Sequence, residues 1–214
     1  MNRSPRVAPQ GAGLTVVFVA TLVLGLFLAG SAEAQIKTPG AHPRYSLELD
    51  PHLTLQHDRG PFTDEGVGLG LRATIPLFHN GPIPQINNNM GISFGADYVF
   101  FGDDDDCRFL GRGNEFLEHE CGGSDLWVPV TLQWNFWFTP VVSVFGEPGL
   151  ALQYTSAYWE YDCGGGRICE ADDDDLDVVE FVMFVGGRFM FSNNVGMTVR
   201  LGSPYVSVGA TFLM

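Results

Sequence analysis

The chain has 214 residues and carries 25 Asp and Glu against 11 Lys and Arg, which gives a net charge of −14. This acidity opposes nucleic-acid binding, because phosphate backbones attract basic surfaces and repel acidic ones. A single lysine, Lys37, occurs in the whole sequence. The wet strand faces of a soluble β-domain are normally rich in lysine, so its scarcity argues against a soluble sheet.

Residues 1–34 have the pattern of a secretory signal peptide. Arg3 and Arg6 precede an apolar run at 14–28, and the small residues Ala32 and Ala34 mark a cleavage site. A membrane anchor is the alternative, but this run is short for a helical span of about 20 residues. The sequence therefore predicts export and a mature chain of residues 35–214.

Eight segments of the mature chain alternate between apolar and polar residues. In one of them Val128, Val130 and Leu132 alternate with Thr131 and Gln133. A period of two predicts β-strands with two unlike faces. In chain order, the predicted strands are about 45–56, 66–77, 90–101, 126–139, 142–154, 179–191, 195–201 and 206–214.

The bulk of the apolar face indicates which face looks inward. It carries Trp134 and many Phe, Tyr and Leu side chains, too much volume for the interior of an eight-stranded barrel. The other face is rich in Gly and Ser, as a crowded interior requires. The sequence therefore predicts an all-β, eight-stranded antiparallel up-and-down transmembrane β-barrel with its apolar face towards lipid.

Acidic and basic residues nearly balance on the predicted inward face. Charges removed from bulk water must be paired, so we predict a network of salt bridges in the lumen. Its predicted members are Glu48, Asp50, His52, Arg72, Asp97, Glu147, Glu180, Arg188 and Arg200.

The links between strands differ in length in a regular way. The third and fifth strands are followed by long segments, 102–125 and 155–177, whereas the fourth and sixth are followed by tight turns. Long external loops and short periplasmic turns are typical of outer-membrane barrels. The link at 78–89 departs from this rule because it is long for a periplasmic turn. Pro51, Pro129 and Pro148 fall inside strands, where each removes a ladder donor, so we expect bulges there.

The mature chain resembles the small eight-stranded bacterial outer-membrane barrels of the OmpA, OmpX and OmpW types. The resemblance is one of pattern, and its most specific part is the last strand, in which Val206, Val208, Ala210 and Phe212 alternate with small or polar residues. The last residue is Met214, where that family usually has an aromatic residue. The resemblance implies an outer-membrane location, contact with outer-membrane lipids and lipopolysaccharide, and insertion by the barrel-assembly machinery.

Most of the negative charge lies in the two predicted external loops. Without residues 1–34 the net charge is −15, and segments 102–125 and 155–177 carry −6 and −7 of it. Clustered carboxylates attract cations, and Ca²⁺ is the candidate cofactor because it prefers several carboxylate oxygens. A solvated, self-repelling loop beside lipopolysaccharide phosphates is the alternative. The candidate ligands are Asp103, Asp104, Asp105, Asp106, Glu170, Asp172, Asp173, Asp174, Asp175 and Asp177.

Four cysteines, two in each predicted external loop, allow three pairings. The simplest arrangement in an oxidising compartment joins Cys107 to Cys121 and Cys163 to Cys169, so that each disulfide closes one loop. Zinc is the alternative, but the spacing of the four residues does not match a metal finger.

Catalytic motifs are missing from the sequence. No Gly-x-Ser-x-Gly, His-Glu-x-x-His or Walker pattern occurs, and His52 near Glu48 and Asp50 is more typical of an interior hydrogen-bond network. We therefore expect a protein with no catalytic residues: a non-enzymatic barrel whose acidic, disulfide-tied loops contact cations, envelope lipids or an extracellular partner that the sequence does not identify. The alternatives are a narrow, porin-like, cation-preferring pore and, last, an envelope enzyme.

Overall fold

A computed structural model describes residues 35–57, 65–104, 121–162 and 167–214. A short 3₁₀ helix, Gln35–Lys37, precedes eight strands. The strands are β1 Glu48–Gln56, β2 Gly66–Phe78, β3 Asn88–Asp104, β4 Cys121–Trp137, β5 Val142–Asp162, β6 Ile168–Met190, β7 Val195–Ser203 and β8 Tyr205–Leu213. Within these ranges, no helix is long and apolar enough to cross a membrane. The predicted signal peptide lies outside the described residues and stays a prediction.

The eight strands form one closed barrel in the order β1 to β8. Each strand pairs antiparallel with its neighbours in sequence, and β1 closes the barrel by pairing with β8. This arrangement satisfies the backbone hydrogen-bonding groups of every strand along the closed wall, which leaves no sheet edge there. The predicted eight-stranded antiparallel up-and-down fold is confirmed.

Outward and inward side chains have the polarity that the alternation predicts. Leu53, Leu69, Leu71 and Phe181 are each more than half exposed, whereas polar and charged residues of the same strands are buried in the lumen. This is the reverse of a water-soluble protein and is typical of a transmembrane barrel. We call the end that carries segment 35–47 and the links 79–87, 138–141 and 191–194 the proximal end, and the opposite end the distal end.

The three prolines inside strands interrupt the ladders without shifting the register. The prediction of bulges at these positions is therefore wrong. Pairs are missing next to Pro51 between β1 and β8, next to Pro129 between β3 and β4, and next to Pro148 between β4 and β5, but the register is the same on both sides of each gap. A proline lacks only one N–H, so one ladder loses a bond while the other holds the strand in place. The register shifts occur elsewhere, for example between Ala151 and Gln153.

The long proximal link at 79–87 folds against segment 35–47 at the proximal end. The backbone N–H of Asn87 donates to Ile36 at 2.7 Å, and the carbonyl of Asn87 accepts from Trp137 at 2.9 Å. His42 lies within 2.7 Å of the His79 carbonyl and stacks on Trp137. The extra length of this link therefore fastens the segment before β1 to the proximal end.

Candidate functional site

A layer of paired charges fills the lumen. Arg200 donates to Asp50 at 2.5 Å and to Glu147 at 3.1 Å, and Arg188 forms an ion pair with Glu48. All five side chains are 0–2% exposed. Buried charges are tolerated only when they are paired. These contacts give each charge a partner of opposite sign, and Glu48 Oε2 and Arg188 Nε are left without a hydrogen bond.

Asp97 joins four strands at the distal side of this layer. Its carboxylate lies 2.5 Å from His52 Nε2 on β1 and 3.2 Å from Arg72 Nη2 on β2. The hydroxyl of Tyr205 on β8 donates to the same carboxylate and accepts from Arg72 at 2.6 Å. Arg72 also lies 3.5 Å from Glu147, so the contacts around Asp97 and those around Arg200 form one network.

Every strand contributes a buried side chain to this network. In addition to the charged groups, Gln133 of β4 donates to Glu147 at 2.7 Å and to Glu48 at 3.3 Å, and Thr211 of β8 donates to Asp50. Side chains that are 0–2% exposed leave no water-sized space against their surfaces. The lumen is therefore packed across its whole section at this level.

Two apolar layers enclose the charge network. The distal layer consists of Val99, Phe101, Trp127, Ala151, Val182, Phe184 and Tyr205. The proximal layer consists of Tyr45, Trp137, Met190 and Leu213. Arginine side chains lie over their rings, with Arg72 5.2 Å from the Phe184 centroid and Arg188 5.8 Å from that of Trp137. These layers exclude water from both sides of the charges and strengthen their pairing.

The inward aromatic residues are the main feature that sequence reasoning missed. Trp127, Trp137, Phe145 and Phe184 have the same parity as the polar residues of their strands. The signal was present in the alternation, but the general expectation of a Gly-rich, polar lumen concealed it. Because of these residues, the lumen contains apolar layers in addition to the predicted polar one.

Asp125 is a second missed residue, because it was placed at the end of an external loop. It is fully buried in β4. Its carboxylate accepts hydrogen bonds from Gln56 at 2.7 Å, Gln153 at 3.2 Å and Thr155 at 2.7 Å. Pairing of β4 with β5 and contact across the lumen with β1 bring these four residues together, and no local sequence signal indicates it.

Glu180 lies in a different part of the barrel from the other predicted lumen charges. It lies at the distal end of the barrel wall and is only half-buried, whereas the charge layer is fully buried. The other eight predicted lumen residues, Glu48, Asp50, His52, Arg72, Asp97, Glu147, Arg188 and Arg200, are in contact through the ion pairs and hydrogen bonds given above.

The segment 155–177, predicted as an external loop, is mostly β-strand. β5 continues to Asp162 and β6 begins at Ile168, and the two strands pair as far as these residues. The predicted strand ends at 154 and 179 were wrong because Asp is disfavoured in strands, yet pairing with the Tyr- and Trp-containing end of β5 outweighs that preference. The external position of this segment stays a prediction. In the other predicted loop, β3 extends to Asp104 and β4 begins at Cys121, and residues 105–120 lie outside the described residues.

Together these extensions form a sheet beyond the closed wall, which we call the distal sheet: residues 155–162 of β5 and 168–177 of β6, with residues 121–125 of β4. β7 stops at Ser203, which pairs with Met183 of β6. Among the described residues, segment 170–176 of β6 therefore has a ladder partner on the β5 side alone.

The distal sheet distributes the predicted cation ligands of β6 over its two faces, and their binding of a cation stays a prediction. Asp172 and Asp174 lie on one face of β6 and Asp175 on the other, because successive strand residues alternate. Within the described ranges, no group of three or more His, Cys, Asp or Glu side chains is placed to hold a metal ion. Asp105 and Asp106 are outside those ranges.

The structure describes the side chain of one of the four cysteines, Cys169. Cys169 of β6 is disulfide-bonded. Cys107 and Cys163 lie outside the described residues, so the pairings of Cys107 with Cys121 and of Cys163 with Cys169 stay predictions. A disulfide at Cys169 would restrain the distal end of β6.

No protein-family model matches the sequence, and no curated protein matches it. Among solved structures, the chain is similar to Ail, the attachment invasion locus protein of Yersinia pestis, with 13% identity, a TM-score of 0.39, and coverage of 80% of this chain and 99% of that one. The structure of Ail with the heparin analogue sucrose octasulfate gives 13% identity, a TM-score of 0.39, and coverage of 78% and 97%. This similarity is too distant to assign a function.

Proposed function

We propose that the protein is a non-enzymatic outer-membrane barrel with a closed lumen, which presents its acidic distal sheet to cationic partners. The observation that carries the proposal is the charge layer, to which all eight strands contribute buried side chains. A barrel whose section is filled in this way serves as a scaffold for what it exposes.

The height of the apolar band supports a membrane location. On β4, the outward positions run from Leu126 at the distal side to Phe136 at the proximal side. Ten residue steps extend about 33 Å along a strand, or about 25 Å in height at a tilt of about 40°. This matches the apolar band of outer-membrane barrels.

Aromatic side chains lie at both edges of the band, as at the interfaces of such barrels. Outward aromatic residues near the proximal edge are Phe78, Trp134, Phe136, Phe189, Phe191 and Phe212, and those near the distal edge are Tyr98, Phe100, Tyr154 and Phe181. The proposal therefore includes outer-membrane lipids and lipopolysaccharide as neighbours and insertion by the barrel-assembly machinery, as the family resemblance implies.

The packed lumen opposes the alternative of a narrow pore. We expect the wild-type protein, refolded and inserted in a planar bilayer at about pH 7, to give no discrete conductance steps, because the charge layer and the two apolar layers exclude water and ions. Insertion is checked in parallel by protease protection of the barrel. Stable single-channel steps from inserted protein would overturn the closed-lumen part of the proposal.

Contact with a cationic partner is proposed from the charge and shape of the distal sheet. Segment 170–176 of β6 carries Glu170, Asp172, Asp174 and Asp175, all exposed, and contains no basic residue. Its side away from β5 has no ladder partner among the described residues, so its backbone hydrogen-bonding groups there suit an extended chain, and its carboxylates select a basic one. Lipopolysaccharide-associated Ca²⁺ at these carboxylates stays a prediction.

Removing charge from the distal sheet tests this part of the proposal. We expect the triple variant Asp172→Asn, Asp174→Asn, Asp175→Asn to lose at least tenfold in affinity for a decalysine peptide at low salt, because three attractive charges are removed. Binding is measured by fluorescence anisotropy of the labelled peptide. The control is Ser156→Asn, which alters the neighbouring β5 surface without changing charge and should bind like the wild type. Equal binding by the triple variant would exclude the sheet as the contact surface.

A further inference from the structure

A shallow hollow lies at the proximal end of the barrel, beside the start of β1. Its volume is about 370 Å³, and it is lined by Arg44, Tyr45, Ser46, His79 and Met214. Tyr45 is buried in the proximal apolar layer, whereas Arg44 and His79 are exposed. The hollow therefore combines a buried aromatic side with polar groups that are open to the surroundings.

The hollow arises because β1 and β2 part at their proximal ends. The last ladder pair between them is Glu48 with Thr74, yet β2 continues to Phe78. The segment before β1 follows β8 instead, since the N–H of Leu47 donates to the Met214 carbonyl at 3.0 Å. Beyond Thr74, the β1 side of β2 has no ladder partner among the described residues. Polar backbone groups at such an edge need a hydrogen-bonding neighbour at membrane level.

Outward apolar side chains border the hollow on both flanking strands. Just past β8, Met214 has the outward parity of Phe212 and is 53% exposed. On β2, Leu77 and Phe78 immediately precede His79 and are also about half exposed. The hollow therefore lies at the proximal edge of the apolar band, where lipid headgroups meet the wall of a membrane barrel.

The proximal end carries basic groups and no acidic side chain. Segment 35–47 and the three proximal links contain Lys37 and Arg44 but no Asp or Glu. The distal sheet, by contrast, is strongly acidic. Charge complementarity therefore favours an anionic ligand at the proximal end.

Two exposed side chains of the hollow are suited to hold a phosphate. The guanidinium of Arg44 is always charged, and its planar fork matches two phosphate oxygens. The imidazole of His79 has an N–H to donate in either tautomer. The Ser46 hydroxyl is already engaged, because it donates to the Met214 carbonyl at 3.1 Å. A phosphodiester that carries acyl chains fits both the two donors and the apolar side chains beside them.

We propose that this hollow binds the headgroup of an anionic phospholipid, with Arg44 and His79 on the phosphate and the acyl chains along Met214 and Phe78. One arginine matches the single phosphodiester of phosphatidylglycerol. The proximal end is also the predicted periplasmic end, whose leaflet consists of phospholipids. The inference rests on the proposed membrane barrel and adds a preferred lipid to it.

Lipid retention by the folded protein tests the site. Native mass spectrometry of the detergent-solubilised protein, titrated with phosphatidylglycerol or phosphatidylcholine, measures the affinity for each lipid. We expect one phosphatidylglycerol to bind about threefold more tightly than phosphatidylcholine. Arg44→Gln should weaken phosphatidylglycerol binding about fivefold and abolish the preference, because it removes one charge and the fork. The matched control is Lys37→Gln, which removes an equal charge at the same end but outside the hollow, and should bind like the wild type.

The contrary outcomes separate the site from the barrel that carries it. Equal losses in Arg44→Gln and Lys37→Gln would show a diffuse surface potential and overturn the site. Equal affinity of the wild type for both lipids would overturn it without any variant, and would leave the membrane barrel intact. Displacement of phosphatidylglycerol by inorganic phosphate would assign the hollow to a soluble anion. Retention of neither lipid would contradict the lipid-facing band, and with it the proposed membrane location.

Discussion

Replacing Arg72 by Met should destabilise the folded barrel by about 3–5 kcal/mol, because it leaves buried carboxylates without their partner. Arg72 is fully buried and contacts Asp97, Glu147 and the Tyr205 hydroxyl. Methionine fills much of the same volume, so the change removes charge more than packing. Urea unfolding in lipid vesicles, followed by tryptophan fluorescence, measures the difference in the free energy of unfolding.

The matched control for Arg72→Met is the double variant Arg72→Met with Glu147→Gln. It removes one positive and one negative charge, and the carbonyl oxygen of the new amide can still accept a hydrogen bond from Gln133 or Arg200. We expect it to recover at least half of the lost stability. A single variant as stable as the wild type would show that the charge layer does not hold the barrel together. A double variant as unstable as the single one would assign the loss to packing.

Leu71→Arg should destabilise the membrane-inserted barrel by about 2–4 kcal/mol, the cost of an arginine on the lipid face near the bilayer midplane. Leu71 lies near the centre of β2 and its side chain is 51% exposed on the outer face. Leu176 is 57% exposed but lies on the distal sheet, between Asp175 and Asp177. Leu176→Arg should therefore change the free energy of unfolding by less than about 1 kcal/mol.

The comparison between these two leucines tests the membrane position directly. The two side chains have similar exposed fractions, so both variants lose similar contacts. A difference between their free energies of unfolding therefore shows whether lipid or water surrounds each position. The same urea unfolding experiment in vesicles provides both values. Equal effects at the two positions would contradict a lipid-facing band that ends below the distal sheet.

Much of the lumen could be predicted from the sequence, because its charged residues share the parity of the small and polar residues. That rule identified Arg72, Glu147, Arg188 and Arg200 as inward residues. It failed for Asp125, which lies in a segment that lacks a clear alternation and was taken for a loop. It failed again for the Asp-rich part of β6, since composition favoured a loop and strand pairing prevailed.

The sequence by itself determined the number of strands, their outward and inward faces and their antiparallel order, because a period of two and short links are local properties of the chain. Only the tertiary structure decided which side chains pair in the lumen and how they pack there. The ion pair between Glu48 and Arg188 joins residues 140 positions apart, and the layers of Trp127 and Trp137 form only when all strands meet. Which charges pair, and whether space remains between them, depends on the closure of the barrel and the register of its ladders.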